Sequence, residues 1–407
     1  MREQKLDICI VGGAGHVGLP LALAFADAGQ QVMIYDLNTA VMDRIKSGTL
    51  PFVEYEAEPL LARALKANRL HFSSDPRDIG RAQHVIVAIG TPVDEYLNPK
   101  LRALLDLFEH LRPHLRPSQT IIIRSTVFPR TCQQVERLLS RDGQRWTVTY
   151  CPERIAQGYA IRELRELPQI VSGFSREGVD AASRLFALIA PEIVHLKVEE
   201  AELAKLFTNA WRYIQFAAAN QFYMLADTIG VDFNRVRDAM VRGYGRAMAL
   251  PGPGFAAGPC LLKDTMQLAA FNNNNFPMGH AAMAINEGLP NYVVDMISRR
   301  RKLEGTRFGI LGMAFKADID DIRDSLSYKL GKVLRFHGAD VCYSDEFASD
   351  PTFVTKEELL ACAEVVIVGV PHSAYKTLKV PAGVEVIDLW AVLGKAAPVP
   401  AATANAT

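Results

Sequence analysis

The stretch PGPGFAAGPCLLKD, residues 251–264, carries the side chains best suited to covalent chemistry. Glycine and proline at this density fix a loop whose backbone N–H and C=O groups can lie against a ligand. Cys260 ends the loop just before a predicted helix from Leu261 onward, and a thiolate is stabilised near a helix N-terminus. Lys263 adds positive charge, and Asp264 lies four residues after the cysteine on the same helical face. We therefore predict that Cys260 is a nucleophile rather than a structural thiol.

A dinucleotide-binding signature opens the chain. The segment LDICIVGGAGHVGLPLALAFADAGQQVMIYD predicts a buried strand (8–11), a glycine turn, a helix (19–28) and a second strand. In its G-x-G-x-x-G pattern the first glycine allows the tight turn, the second lets the backbone approach a pyrophosphate, and the third lets the helix pack on the strand. Asp36 ends the second strand, where its carboxylate would bind a ribose 2′-hydroxyl and repel a 2′-phosphate. We predict an NAD site that includes Gly13, Gly15, His16, Val17, Gly18 and Asp36.

Two more buried strands predict contacts at the same edge of this sheet. HVIVAIGTP (84–92) and TIIIRSTV (120–127) each end in hydroxyl side chains. Ligands of such sheets bind beyond the carboxyl ends of the strands, so Thr91, Ser125 and Thr126 are candidate contacts. Spacing alone equally allows each hydroxyl to cap a turn or helix.

A nucleophilic cysteine combined with a nicotinamide cofactor predicts the conversion of an aldehyde to a carboxylate. Attack by the thiolate gives a thiohemiacetal, hydride transfer gives a thioester, and water releases the acid. The other five cysteines, including Cys9, Cys342 and Cys362, which we place in strands, are interpreted as structural.

The C-terminal part of the chain repeats the N-terminal pattern. RFGILGMAF (307–315) leads into a glycine turn, and SYKLGKVLRFHGADVCYSD ends in Asp345 as the first repeat ends in Asp36. The full glycine fingerprint is missing there, so we expect this domain to bind something other than a dinucleotide. Residues from about 198 to 300 predict mainly helix, with Lys205 and Asn209 on one face. The expected fold class is α/β, with two Rossmann-like doubly wound domains joined by a central helical domain with a long helix.

Composition and charge limit the class of protein. The chain has 407 residues with 45 basic and 45 acidic side chains, so no charge excess favours nucleic acid or a membrane surface as a partner. Neither a secretory signal nor a bilayer-spanning stretch is evident, and we expect a cytoplasmic protein. We predict an NAD-binding domain at 1–197, a central helical domain with a dimer contact at 198–300, a second Rossmann-like domain at 301–395 and a disordered tail at 396–407.

Seven blocks in order along the whole chain resemble the UDP-glucose/GDP-mannose dehydrogenase family, also called nucleotide sugar 6-dehydrogenases. They are VGGAGHVGLPLA, GTPVD, RSTV, CPERIAQGYA, ELAKLFTNAW, PGPGFAAGPCLLKD and GILGMAFKADIDDIRDS. The resemblance implies four-electron oxidation of the C6 primary alcohol of a UDP-hexose to a carboxylate, with two NAD consumed at one active site. It also implies that the second Rossmann-like domain binds the UDP of the substrate.

The resemblance further implies a role for each matching residue. Cys260 would be the nucleophile, while Asp264 and Thr126 would handle protons and water. Lys205 would stabilise the oxyanion, Asn209 would position substrate, and Glu153 would help to activate water. The implied catalytic set is Cys260, Asp264, Lys205, Asn209, Glu153 and Thr126; the substrate set is Glu153, Lys205, Asn209, Gly254, Phe255, Cys260, Phe315 and Lys316; and Thr91, Ser125, Lys263 and Arg323 join the cofactor set.

Four positions depart from the family pattern. Ala14 and His16 replace the bulkier residues often found in the glycine turn, where a phosphate site formed by the backbone should tolerate them; the other two bear on the substrate and on proton transfer. Ala256 stands where a glycine is usual, and a methyl group there would disfavour a positive φ and crowd a sugar. Gln157 stands where some members carry a second glutamate. The CPER block resembles enzymes of N-acetylated UDP-sugars, whereas the KD after the cysteine fits UDP-glucose enzymes as well. Both substrates stay open, with GDP-mannose a distant third.

Two other interpretations also stay open. A two-electron β-hydroxyacid-type NAD dehydrogenase would need neither the cysteine nor a second nucleotide domain. A non-catalytic protein that binds NAD or a nucleotide sugar would keep the fold without turnover.

Overall fold

The computed structural model describes residues 5–91, 93–94, 100, 102–256 and 258–393, and the chain divides into two compact units. The first unit comprises Met1–Thr208 and Ala270–Asn274, and the second comprises Asn209–Ala269 and Asn275–Thr407. The predicted tail at 396–407 lies outside the described residues.

Eight strands form a single sheet in the first unit. They are β1 (Leu6–Val11), β2 (Val32–Tyr35), β3 (Leu70–Ser73), β4 (Ala82–Val87), β5 (Thr120–Ile123), β6 (Thr147–Tyr150), β7 (Gln169–Gly173) and β8 (Ile193–His195). Their order is β3-β2-β1-β4-β5-β6-β7-β8, and all neighbours are parallel except β6 and β7. The first six strands therefore have the order of a doubly wound nucleotide-binding sheet.

Helices connect these strands and cover the sheet. They are α1 (Gly18–Asp27), α2 (Thr39–Lys46), α3 (Ala57–Lys66), α4 (Arg102–Leu111), α5 (Thr131–Leu139), α6 (Ala160–Glu166) and α7 (Arg176–Phe186). In β1, Ile8 and Ile10 belong to one hydrophobic core, and Cys9 and Val11 belong to another. A strand buried on both faces needs a continuous apolar run, which is why this segment was recognisable in the sequence.

A long helix, α8 (Val198–Thr228), contains 31 residues and passes from the first unit into the second. Its first turn contains Glu199 and Glu200, whose negative charges stabilise the helix by interacting with the positive end of its dipole. The predicted long helix carrying Lys205 and Asn209 is confirmed. No helix among the described residues is long and apolar enough to cross a membrane.

The second unit contains further helices and a smaller parallel sheet. Its elements after α8 are α9 (Phe233–Val241), α10 (Leu261–Phe271), α11 (Pro277–Ser298), β9 (Arg307–Leu311), α12 (Leu326–Phe336), β10 (Asp340–Ser344), α13 (Lys356–Cys362), β11 (Val365–Val368) and β12 (Glu385–Ile387). The last residues of α10 belong to the first unit. The strand order is β10-β9-β11-β12, with β9 and β11 as the two inner strands. The predicted α/β class with a second Rossmann-like sheet is confirmed.

One cysteine lies in a different element from the one predicted. Cys362 ends α13 and is exposed, whereas we had placed it in a strand. Thr355 and Glu358 form a capping box, in which each side chain accepts from the backbone N–H of the other residue. That cap starts a helix which reaches Cys362, and the strand begins only at Val365.

Candidate active site

The glycine turn after β1 has the shape that a pyrophosphate needs. A Cβ at Gly13 would lie 2.7 Å from the carbonyl O of Ile10, and one at Gly18 would lie 2.3 Å from that of Gly12, so only glycine fits at either position. At Gly15 a Cβ would meet only the Gly12 oxygen, at 3.5 Å. The turn is thus closely packed on two sides and open at its middle glycine, where a phosphate can approach the backbone. The N–H groups of the first turn of α1 follow directly.

Asp36 is held beside this turn at the end of β2. Its Oδ2 accepts a hydrogen bond from the Ala14 N–H at 3.1 Å, and its Oδ1 accepts one from the Asn38 N–H at 3.0 Å. The carboxylate is half-buried. A fixed negative charge here accepts hydrogen bonds from ribose hydroxyls and disfavours a 2′-phosphate, so the residues fit NAD.

His16 and Val17, the other predicted members of the turn, precede α1. Val17 is the residue immediately before the helix. The His16 ring stacks on Phe52, with centroids 4.0 Å apart, and the Gln157 amide nitrogen lies 3.0 Å from its Nδ1. Gln157 therefore fixes the orientation of a residue in the glycine turn, a role that its position in the sequence did not reveal.

The structure brings the three predicted hydroxyl residues together after β4 and β5. Thr91 Oγ1 donates to the Thr126 carbonyl at 2.7 Å. The buried Ser125 hydroxyl donates to the carbonyl of Val87, the last residue of β4, at 3.3 Å. All three lie at the carboxyl edge of the sheet, on the same side as the glycine turn after β1.

Glu153, in the segment after β6, forms a buried ion pair with Arg124. Its Oε1 accepts the N–H groups of Arg154 at 2.6 Å and Ile155 at 2.7 Å. Arg124 in turn donates to the Gln169 side chain at 2.9 Å. Oε1 of Glu153 therefore holds this turn, a role not expected from the sequence, while Oε2, paired with Arg124, keeps a lone pair that can accept from water.

Lys205 is a nearly buried cation on α8, with 8% of its surface exposed. Within the part of the chain that the structure describes, no carboxylate lies within ion-pair distance of its amine. A buried charge without a partner destabilises the folded protein unless another group compensates it. The position of Lys205 therefore favours the binding of an anionic ligand beside its amine. Lys205 belongs to the first unit, and Asn209, one turn further along the same helix, belongs to the second.

Cys260 directly precedes α10, as predicted. Its carbonyl accepts the N–H of Asp264 at 2.9 Å, the first hydrogen bond of that helix, and its thiol is exposed. Three other cysteines, Cys9, Cys132 and Cys151, are fully buried, and desolvation raises the pKa of each thiol, that of Cys151 to about 12. Cys260 is thus both reachable and close to a helix N-terminus, where a thiolate is favoured.

Asp264 is fully buried next to two donors. Asn209 Nδ2 donates to its Oδ2 at 2.6 Å, and Lys263 Nζ lies 3.0 Å from its Oδ1. The amide and the ammonium offset the desolvation of the carboxylate. The structure therefore brings two of the predicted residues, Asn209 and Lys263, into contact with the carboxylate of a third.

The loop before Cys260 is held by residues that the sequence did not single out. Asn220, fully buried on α8, accepts the Gly254 N–H at 2.8 Å and donates to the Gly254 carbonyl at 3.0 Å. Its amide nitrogen also lies 2.9 Å from the side-chain oxygen of Asn286 on α11. The signal in the sequence that could have identified Asn220 is a polar residue on the apolar face of a long helix.

Two glycines of this loop are required by close contacts. Gly254 has φ +150°, and a Cβ there would lie 2.4 Å from the Trp390 ring. Gly258 has φ +103°, and a Cβ there would lie 2.5 Å from the Phe315 ring. Phe255, between them in sequence, is buried in a hydrophobic core.

Ala256 packs its methyl group in a buried cluster instead of adopting a left-handed backbone. The cluster comprises Tyr213, Ala217, Ala256, Leu261 and Ala282. The backbone strain expected of a methyl group at position 256 is therefore absent.

Phe315, Lys316 and Arg323 lie in the segment after β9. The Phe315 N–H donates to the Asp321 carbonyl at 2.9 Å, and Arg323 makes a two-nitrogen contact with the Asp321 carboxylate at 3.0 and 2.6 Å. The hydrogen bonds that Arg323 donates to the Asp321 carboxylate raise the pKa of Arg323, and negative charge at Cys260 acts in the same direction. A guanidinium thus lies within electrostatic reach of the Cys260 thiol.

Three family models match successive parts of the chain. They describe the UDP-glucose/GDP-mannose dehydrogenase family: its NAD binding domain at residues 6–189, its central domain at 199–288 and its UDP binding domain at 309–395.

Relatives and solved structures agree with these matches. A UDP-N-acetyl-D-mannosamine dehydrogenase from Methanococcus maripaludis is 29% identical over 385 residues, covering 91% of this chain and 87% of its own. An NDP-N-acetyl-D-galactosaminuronic acid dehydrogenase from Ralstonia nicotianae is 26% identical, covering 90% and 91%. The structure of a UDP-glucose dehydrogenase from Pyrobaculum islandicum has a TM-score of 0.87 and 26% identity over 95% of each chain.

Proposed function

This chain belongs to the UDP-glucose/GDP-mannose dehydrogenase family, and we propose that it oxidises C6 of a UDP-hexose from alcohol to carboxylate with NAD as the oxidant. The observation that carries the proposal is the exposed Cys260 at the start of α10, one turn before the buried Asp264 that Asn209 and Lys263 contact. That group of side chains serves covalent catalysis, which a two-electron dehydrogenase does not need.

The side chains of this protein would act in a fixed order. NAD, when bound, accepts the hydride released in each of two oxidation steps. Lys205 stabilises the oxygen of the alkoxide, which becomes an aldehyde as its hydride leaves. The Cys260 thiolate then attacks the aldehyde carbon, and its oxygen takes up a proton. Loss of the second hydride together with that hydroxyl proton leaves a thioester, which water cleaves to the carboxylate and the free thiol.

Asp264 and Asn209 orient groups in these steps. Asp264 is placed by the helix that Cys260 begins, and its carboxylate can hold a proton released when the alcohol or water is activated. Asn209 fixes the carboxylate through one amide hydrogen, which leaves the other for the substrate oxygen. Thr126 and Glu153 complete the set that we propose to manage water.

An N-acetylated UDP-hexosamine is the substrate that we favour. The relatives from Methanococcus maripaludis and Ralstonia nicotianae are named for N-acetylated sugars, and the CPER block resembles that branch. UDP-glucose is the second candidate, because the similar structure from Pyrobaculum islandicum is named for it.

The stoichiometry of NADH tests the proposal. Limiting UDP-N-acetylmannosamine, UDP-N-acetylglucosamine, UDP-N-acetylgalactosamine or UDP-glucose would be run to completion with excess NAD, using the wild type and Cys260→Ala. We expect about two NADH per sugar with one substrate and no full oxidation in the variant. About one NADH, or activity that survives loss of Cys260, would establish the two-electron reaction instead. Binding without turnover of any sugar would identify a non-catalytic protein.

We also propose that α8 forms a homodimer contact. Trp211, Phe222 and Leu225 are 58%, 42% and 58% exposed, at spacings that place them on one side of the helix. Large apolar side chains aligned along an exposed helix mark an interaction surface. Sedimentation velocity should give a dimer for the wild type and Trp211→Phe, and a monomer for Trp211→Glu; a monomeric wild type would exclude the proposal.

The three-domain organisation and the cytoplasmic location predicted from the sequence remain proposals.

A further inference from the structure

The segment 312–325 carries Phe315 and Lys316, and a buried carboxylate holds its start. Asp345, just after β10, accepts hydrogen bonds at Oδ2 from the N–H groups of Met313, at 2.6 Å, and Ala314, at 3.0 Å. Its side chain is fully buried. Burial alone would raise the pKa of Asp345, but hydrogen bonds from His372 and from backbone N–H groups lower it to about 2.

His372 links this carboxylate to the far side of the same segment. The residue lies shortly after β11 and is fully buried. Its Nε2 is 3.0 Å from Asp345 Oδ2, and its Nδ1 is 2.9 Å from the backbone nitrogen of Asp318. A backbone N–H can only donate, so Nδ1 accepts and the ring proton is assigned to Nε2, which donates to Asp345. His372 thus uses both ring nitrogens.

Asp318 needs such support because its backbone is left-handed. Its φ is +58°, a conformation that costs a non-glycine residue free energy unless its surroundings fix it. The Asp318 carboxylate accepts the N–H of Ser373 at 2.7 Å, so two hydrogen bonds hold this residue to the turn after β11. Lys316 lies only two residues earlier in the same segment.

The corresponding aspartate of the first unit is used differently. Asp36 accepts a single N–H from its glycine turn, that of Ala14. Asp345 accepts two N–H groups from its turn and a third hydrogen from His372. The carboxylate that would bind a ribose hydroxyl in a dinucleotide site therefore accepts hydrogen bonds from the turn itself.

We propose that His372 is a positioning residue for the nucleotide end of the substrate, acting through the hydrogen bond from the Asp318 N–H to its Nδ1. It fixes the turn that presents Phe315 and Lys316 to the nucleoside diphosphate. This inference rests on the proposed function, because the family resemblance places these two side chains in the substrate-binding set of the domain that would bind UDP.

Replacing His372 with either of two amides separates its two nitrogens. In His372→Asn the side-chain oxygen lies near the position of Nδ1 and can accept from Asp318. In His372→Gln the amide nitrogen lies near the position of Nε2 and can donate to Asp345, but no acceptor remains for Asp318. His337→Gln, at an exposed histidine just after α12, serves as the control.

Calorimetry with UDP alone, followed by steady-state kinetics, measures the effect. We expect His372→Gln to raise the Kd of UDP and the KM of the UDP-sugar by about tenfold, the effect of one buried N–H left without an acceptor. The kcat and the KM of NAD should stay within about threefold of wild type, and His372→Asn should recover most UDP affinity.

Three outcomes would overturn the inference. They are equal UDP affinity in both variants, a loss confined to melting temperature with UDP binding unchanged, and a wild type that does not bind UDP. A wild type that binds UDP but oxidises no UDP-sugar would refute the proposed function while leaving the role of His372 testable by calorimetry.

Discussion

Substituting Gly258 by alanine tests the packing of the catalytic loop most directly. The residue has φ +103°, and an added Cβ would lie 2.5, 2.8 and 2.9 Å from three atoms of the Phe315 ring. Contacts under 3 Å require the ring or the loop to move. Its N–H also points to the Asp324 carbonyl, at 3.4 Å, which ties the loop to the segment that carries Phe315.

Two contributions set the expected size of the effect. A positive φ costs an L-residue about 1–2 kcal/mol relative to glycine. Displacing a half-buried aromatic ring adds about 1 kcal/mol, so the total is roughly 2–3 kcal/mol. For a unit of this size the melting temperature should fall by about 4–10 °C. Since Cys260 follows by two residues and Phe315 is a proposed substrate contact, we also expect kcat/KM for the UDP-sugar to fall by at least about tenfold.

Gly252 provides a matched control in the same loop. A Cβ at this position has no neighbour within 4 Å, and its φ lies outside the left-handed region. Calorimetric melting and kinetics would be compared for Gly258→Ala, Gly252→Ala, Phe315→Ala and the double variant Gly258→Ala/Phe315→Ala. The double variant should lose less unfolding free energy than the two single variants lose together, because removing the ring removes the clash. Equal behaviour of the two glycine variants, or strict additivity, would refute the reasoning.

Three further predictions address other parts of the protein. Iodoacetamide should abolish activity of the wild type and of Cys362→Ser, since Cys260 is exposed; an enzyme protected by Cys362→Ser would place the reactive thiol there instead. Arg124→Leu should lower the free energy of unfolding by about 3–5 kcal/mol, because it leaves the buried Glu153 carboxylate without its ion-pair partner. In thermal melts the double variant Arg124→Leu/Glu153→Leu should be more stable than the single variant. A single variant as stable as wild type would contradict the importance of the pair. The pKa of Asp345 is about 2, below its ordinary value, so the ionised carboxylate contributes about 2 kcal/mol to the free energy of unfolding above pH 4, and this contribution is lost as the pH falls towards 2. The Asp345→Asn variant should therefore show a weaker dependence of melting temperature on acid pH. An unchanged acid profile would contradict this.

Local sequence patterns predicted several strands of each sheet and the principal chemical groups. Continuous apolar runs such as 8–11 and 365–368 are typical of parallel strands buried on both faces, and the glycine turn and Asp36 follow the first of them at fixed spacing. Cys260 was identifiable because a loop rich in glycine and proline ends there and a helix begins. The family resemblance added roles for Lys205 and Asn209, which spacing alone could place only on a common helix face.

Other features became visible only in the folded chain, since they depend on residues far apart in the sequence. Asn220 holds Gly254 from 34 positions away, and His372 reaches Asp318 from 54 positions away. Ala256 is tolerated because its methyl group enters a cluster built from three helices. No local pattern encodes such contacts: a hydrogen-bond partner or a packing neighbour is set by where the backbone returns in space, and a linear spacing carries that information only within one helix or strand.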